Sequence, residues 1–178
     1  MGDYDRRIRD ESWRKTFSLQ GSTKVHGNIE IDEGDLLFLD QVDKLRGVGT
    51  STADGYAYPF SKVSGTTKTL ASNRTLAYQN FFGIAASSSE TGVTEEISIY
   101  LKGVFRYPLR NARSVKVGDY IVPAGSGVTL YNQAVAVVKS GCSDIIGTVA
   151  RSGDFKSEVD GVFASKVLGL NKFSDLTK

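Results

Sequence analysis

Histidine, cysteine, methionine and tryptophan occur once each in these 178 residues, and proline only three times. Each scarcity closes off a class of protein. One cysteine, Cys142, permits no intrachain disulfide, and with His26 as the single imidazole no Cys/His metal cluster can be assembled. A cysteine nucleophile would need that same histidine as its base. Cys142 is therefore expected to be a small buried hydrophobe, and a chain without disulfides suits a reducing cytoplasm. No stretch approaches the roughly 18–20 apolar residues that span a bilayer. The N-terminal segment has no apolar core of a secretory signal, and Arg6 stands where a myristoylation pattern needs Ser or Thr. Synthesis in the cytoplasm, with no membrane partner, is the expectation. Charge excess is lacking too: Lys and Arg number 22 against 20 Asp and Glu, a net charge of +2. A nucleic-acid binder shows a larger and more clustered basic surplus, so no nucleic-acid partner is expected.

Catalytic motifs are missing as well. The chain contains no His-Glu-x-x-His, Walker-type or Gly-x-Ser-x-Gly pattern. Gly47-Val48-Gly49 and Gly125-Ser126-Gly127 lack the βαβ setting of a dinucleotide site and read as turns. Glu95-Glu96 and Asp154/Glu158 could supply a carboxylate pair for glycoside hydrolysis, but neighbouring surface acids are ordinarily just solvated. Asn73-Arg74-Thr75 matches a glycosylation acceptor, a pattern short enough to arise by chance. No cofactor, no metal and no enzymatic activity are expected.

What is abundant is glycine, at 19 residues, together with β-branched residues. Such a chain reads as all-β: many short strands joined by Gly, Ser and Asp turns. The plainest strand runs from Glu96 to Leu109. Ile97, Ile99, Leu101, Gly103, Phe105, Tyr107 and Leu109 share one parity, opposite Glu96, Ser98, Lys102, Arg106 and Arg110. Gly103 inside it suggests a bulge or bend. Further strands are predicted over 25–31, 36–39, 120–122, 134–138 and 163–170. Turns are predicted at 32–35, 123–127, 140–141 and 152–154. Residues 61–75, rich in Ser and Thr, read as a surface loop or hairpin within an insertion at about 40–80.

One unit occurs twice. Glu30 to Phe38 parallels Ser114 to Val122, each placing a β-branched residue, then Gly-Asp, then an apolar strand. Downstream, Phe82-Gly83-Ile84-Ala85 parallels Ile146-Gly147-Thr148-Val149-Ala150, and a further strand follows each. Glycine permits φ > 0 and aspartate bonds nearby amides, so Gly34-Asp35 and Gly118-Asp119 are expected to be equivalent structural turns. Repetition suggests two similar sheets forming one antiparallel barrel.

Ile99 to Phe105, Val115 to Val122 and Ile146 to Ala150 together resemble the small cement, or decoration, proteins of tailed-phage capsids. The likeness covers about residues 30–40 and 82–170. It implies a single compact β-barrel or β-tulip domain (here 21–170) on the outer capsid, stapling neighbouring major capsid protein subunits. The expected location is the virion, with self-association as a homotrimer or dimer left open. The chain departs from shorter members in carrying an N-terminal arm (1–20), the 40–80 insertion and a polar tail (171–178). The arm sets Arg6, Arg7, Arg9, Arg14 and Lys15 among Tyr4, Trp13 and Phe17. Arg and aromatic residues carry interface energy, so Arg6, Arg7, Arg9, Trp13, Arg14 and Phe17 are the expected capsid-binding residues. Two other readings remain open. A phage fiber, tail or receptor/glycan-binding module would use Tyr56, Tyr58 and Tyr131, and a single-strand nucleic-acid barrel would use Phe81, Phe82, Tyr100 and Arg106.

Overall fold

The computed structural model describes residues 19–40, 55–63, 69–94, 96–111, 113–151, 153–155 and 157–170. They form an all-β fold of eleven strands with one helix among the described residues. In chain order these are β1 (Leu19–Lys24), β2 (Leu36–Asp40), β3 (Tyr56–Pro59), α1 (Leu70–Gln79), β4 (Phe81–Ala85), β5 (Glu96–Pro108), β6 (Arg113–Val115), β7 (Tyr120–Ser126), β8 (Thr129–Val138), β9 (Gly147–Val149), β10 (Gly153–Phe155) and β11 (Glu158–Ala164). Nine strands make one curled, nearly closed antiparallel sheet in the order β3-β2-β4-β5-β11-β9-β7-β8, with β1 on the opposite edge of β5. β6 and β10 form a separate two-stranded ribbon.

The strand order is a palindrome, and its register shows why. In the first half, β1 pairs with the front of β5, placing Gly21 opposite Ile99 and Thr23 opposite Ile97. In the second, the back of β5 pairs with β11, placing Phe105 opposite Gly161 and Tyr107 opposite Val159. The remaining pairings correspond one for one. Leu37 faces Gly83 as Ile121 faces Gly147, Leu39 faces Ala57 as Pro123 faces Val135, and Ile84 faces Tyr100 as Thr148 faces Val162. The isolated bridge Ile31–Ser89 corresponds to Val115–Gly153 of the ribbon. A parallel bridge returns each half on itself, Val25 to Ala57 in the first and Leu109 to Val135 in the second. β5 is thus the last strand of one half and the first strand of the next. Toward both ends the residues alternate as the sequence predicts, Ile97, Ile99, Phe105, Tyr107 and Leu109 buried and Glu96, Ser98, Arg106 and Arg110 exposed; in the middle the pattern breaks, with Tyr100 buried and Leu101 and Lys102 both half-buried.

Gly103 marks the passage from one half to the other. The β11 register runs through it unbroken, while the β1 register shifts just before it, Leu19 facing Lys102 and Gln20 facing Tyr100. The Phe105 ring packs where a side chain of residue 103 would stand, 2.6 Å from the position of a Cβ. Gly83 and Gly147 are demanded more strictly. A Cβ on Gly83 would lie 2.4 Å from the carbonyl oxygen of Tyr100, and one on Gly147 would lie 2.6 Å from that of Val162. Equivalent strands approach equally closely in both halves, so glycine recurs at the same step.

Several local expectations change. The segment read as a surface loop over 61–75 includes a 3-10 turn (Phe60–Lys62) and, after residues outside the described set, the start of α1. Thr69 caps that helix by accepting from the Ser72 amide. Apolar spacing did not reveal α1, because its fully buried residues are only Asn73 and Ala77. The predicted strand 25–31 is instead two bridges flanking a turn, and β7 runs on through Ser126 before turning at Gly127, whose φ is 59°. Residues 153–155 are strand rather than turn, since they supply the second half's counterpart of the Ile31–Ser89 bridge.

The core is one cluster drawn from both halves. Phe60 and Phe81 meet edge to face at 5.8 Å between ring centroids, Tyr100 and Phe105 at 5.2 Å, and Tyr107 and Phe163 at 5.2 Å. Aromatic pairs at these separations favour tilted and edge contacts, here one within each half and one along the shared strand β5. Sheet edges are occupied by side chains. Asn111 donates to the carbonyl of Val137 at 2.7 Å and accepts from its amide at 2.9 Å, standing in for a strand on β8. Asn132 accepts from the amide of Ser61 at 2.7 Å, drawing the two ends of the sheet together. Edges closed in this way resist pairing with stray strands.

Candidate interaction surface

The two Gly-Asp turns share one hydrogen-bond pattern. The Asp35 carboxylate accepts from the Asp32 amide at 3.1 Å and Asp119 accepts from the Lys116 amide at 2.9 Å. Gly34 and Gly118 both have φ 89°, the left-handed conformation that glycine tolerates. The Gly34 amide donates to Ala85 and the Gly118 amide to Val149, while the carbonyls of Asp35 and Asp119 accept in return from those same two residues. Only their surroundings differ. The first turn is wedged between the halves: the Tyr107 hydroxyl donates to the Gly34 carbonyl at 2.6 Å, and the Gln133 amide donates to the Asp35 carboxylate at 2.9 Å and the Glu33 carbonyl at 3.2 Å. Asp35 is buried there. Lys116, Val117 and Gly118 of the second turn lie at the surface.

The capsid-binding residues expected from the sequence, Arg6, Arg7, Arg9, Trp13, Arg14 and Phe17, lie outside the described residues, as do Glu95, the Asp154 side chain and the polar tail. Of the tyrosines considered above for a glycan, Tyr58 is buried against Phe38, with ring centroids 5.7 Å apart, while Tyr56 and Tyr131 are half-buried. Phe81, Phe82 and Tyr100 are core residues, so they offer no stacking face for bases. Asn73 is buried with its side-chain amide donating to the Val128 carbonyl at 2.6 Å, which excludes it as a glycosylation acceptor. Cys142 is half-buried in the connection after β8 rather than enclosed in a strand. Among the described residues no group of three His, Cys, Asp or Glu side chains converges on a metal position, and no helix is long and apolar enough to cross a membrane.

The exposed face that does carry organised chemistry lies on β5 and β11. Arg106 and Asp160 are cross-strand partners. The guanidinium donates through Nε to one carboxylate oxygen at 2.7 Å and through Nη2 to the other at 3.2 Å. Arg151 reaches the same carboxylate, its Nε 3.8 Å away. Asp160 is 2 % exposed, whereas the arginine side chains are 46 % and 66 % exposed. The hydrogen bond that Arg106 donates to Asp160 holds the guanidinium above its ordinary pKa, against an opposing desolvation. Nearby, Arg110 lies over the Tyr131 ring at 4.6 Å. Sequence reading placed Arg106 and Arg110 on the wetted face of the strand. Asp160 and Arg151 are not legible there, because their link to Arg106 depends on the β5–β11 register.

A scan against protein-family models finds no match, and a search of curated proteins finds none. Among solved structures the chain is similar to the crystal structure of the head fiber gp8.5 N base in bacteriophage phi29, with 12 % identity and a TM-score of 0.43, covering 82 % of this chain and 95 % of that one. Likeness at this level transfers neither role nor partner.

Proposed function

We propose that this protein is a virion structural component: a cement or decoration protein that binds the outer capsid and stabilises contacts between major capsid protein subunits. The observation that carries the reading joins the sequence likeness to the fold. The three segments that resemble cement proteins fall in β5, in the second Gly-Asp turn with β7, and in β9. The first lies on the strand that the two halves share and the other two in the second half, whose pairing scheme the first half repeats. A binding protein of this kind needs no reacting group. It needs a rigid body and a surface that fits a lattice, and a doubled sheet with occupied edges supplies the first.

Attachment is assigned to the basic and aromatic residues that precede β1. Leu19, the first residue of β1, is 46 % exposed, and β1 is held along its length by β5. A segment leading from that strand starts at the surface from a fixed point. Co-sedimentation of the full-length protein with capsids lacking it tests the role. Saturable, stoichiometric binding that raises the temperature at which the capsids come apart is expected; capsids that neither bind it nor gain stability would refute it.

A further inference from the structure

We infer that Arg106, Asp160 and Arg151 form a recognition site for the acidic side chains of a partner protein, built onto a scaffold that does not require it. The internal duplication provides the comparison. By register, Arg106 opposite Asp160 in the second half corresponds to Ser22 opposite Ser98 in the first. The Ala150 amide bonds to the Asp160 carbonyl as the Ala86 amide bonds to that of Ser98. The following residues, Arg151 and Ser87, therefore correspond as well. Where the second half has Arg, Asp and Arg, the first has three serines. Those serines make local bonds: Ser22 donates to Glu96 at 2.9 Å, and Ser87 accepts from the Ser98 amide at 3.2 Å. The same strands pair in the same register over both sets, so the ion cluster is not what holds them together.

A buried carboxylate is also a poor choice for stability alone, because its desolvation offsets much of the attraction it gains. Its geometric effect is specific. Asp160 occupies Nε and Nη2 of Arg106 and draws in Arg151, fixing two guanidinium groups side by side at the surface. Guanidinium donors left facing outward match a carboxylate in two-pronged geometry. Two features count against a phosphate polymer. The chain as a whole carries only +2, and Phe81, Phe82 and Tyr100 are buried and cannot stack bases. This inference concerns the ligand of one patch and does not depend on the capsid reading.

The test titrates the full-length protein with an oligo-glutamate peptide while following the Nε–H NMR signals of its arginines. Saturable shifts of the Arg106 and Arg151 signals are expected, with affinity falling about tenfold in Arg151→Ser, the size of effect that loss of one charged partner produces. The combined variant Arg106→Ser, Arg151→Ser and Asp160→Ser reproduces the first half's serines. It is expected to fold cooperatively and to lose the binding. Signals unmoved by oligo-glutamate would overturn the inference. So would shifts produced by a DNA oligonucleotide alone, or a combined variant that fails to fold.

Discussion

Two glycines and one hydroxyl carry much of the geometry. At Gly83 and Gly147 the obstruction to a side chain is backbone, the carbonyls of Tyr100 and Val162, so neither site can relieve the clash by rotating a neighbour. Alanine at either position is expected to destabilise the protein by about 1–3 kcal/mol, seen as a lower denaturant midpoint; an unchanged midpoint would show that the strands can separate there without penalty. Tyr107→Phe leaves the Gly34 carbonyl without that donor in a buried setting. A loss of about 1–3 kcal/mol is expected in equilibrium unfolding. The paired turns give an internal contrast. Asp35→Ala removes acceptors from both the turn and Gln133, whereas the Asp119 carboxylate accepts from the turn amide of Lys116 and is half-buried. Asp35→Ala should therefore cost more than Asp119→Ala, and equal midpoints would contradict the wedge placed between the halves.

Between elements, the sequence was legible wherever its period matched the strand's. Alternation from Ile97 to Leu109, broken only around Tyr100 and Val104, marks β5, and the recurring Gly-Asp step marks the duplication. The pairing scheme stayed hidden for a physical reason. α1 and the longer sequence between β2 and β3 belong to one half only, so spacings that agree around the turns drift apart downstream. Nor could composition show that β5 serves both halves. α1 itself escaped because Ser72, Asn73 and Thr75 are weak helix formers and no apolar stripe runs along it. It is held by polar contacts to the second half, Asn73 to the Val128 carbonyl and Thr75 to Asp144 at 3.1 Å. Asn73→Ala is expected to cost about 1 kcal/mol and to speed amide exchange in α1 and around Val128. Exchange unchanged in both places would mean that the helix is secured by its apolar contacts alone. The Arg106–Asp160–Arg151 site was half legible, since strand parity exposes Arg106 but only register brings β11 and the residue after Ala150 to it.

At the scale of the molecule, two copies of one pairing scheme share a continuous strand and one core, and the attachment we propose is through residues that precede β1. Removal of residues 1–18 stops short of β1, which begins at Leu19. The shortened protein is expected to keep its strand content and cooperative unfolding and to bind capsids more weakly; undiminished binding would move the contact onto the sheet. The duplication also gives the body two related faces with different chemistry, serine in one half and paired arginines in the other, so the two halves need not meet a lattice in the same way. Electron microscopy of capsids saturated with the full-length protein tests the central claim most directly. The account requires density of this two-half shape on the outer surface, at regular positions bridging neighbouring capsid subunits. Capsids without such density, or with the protein confined to a tail, would contradict it.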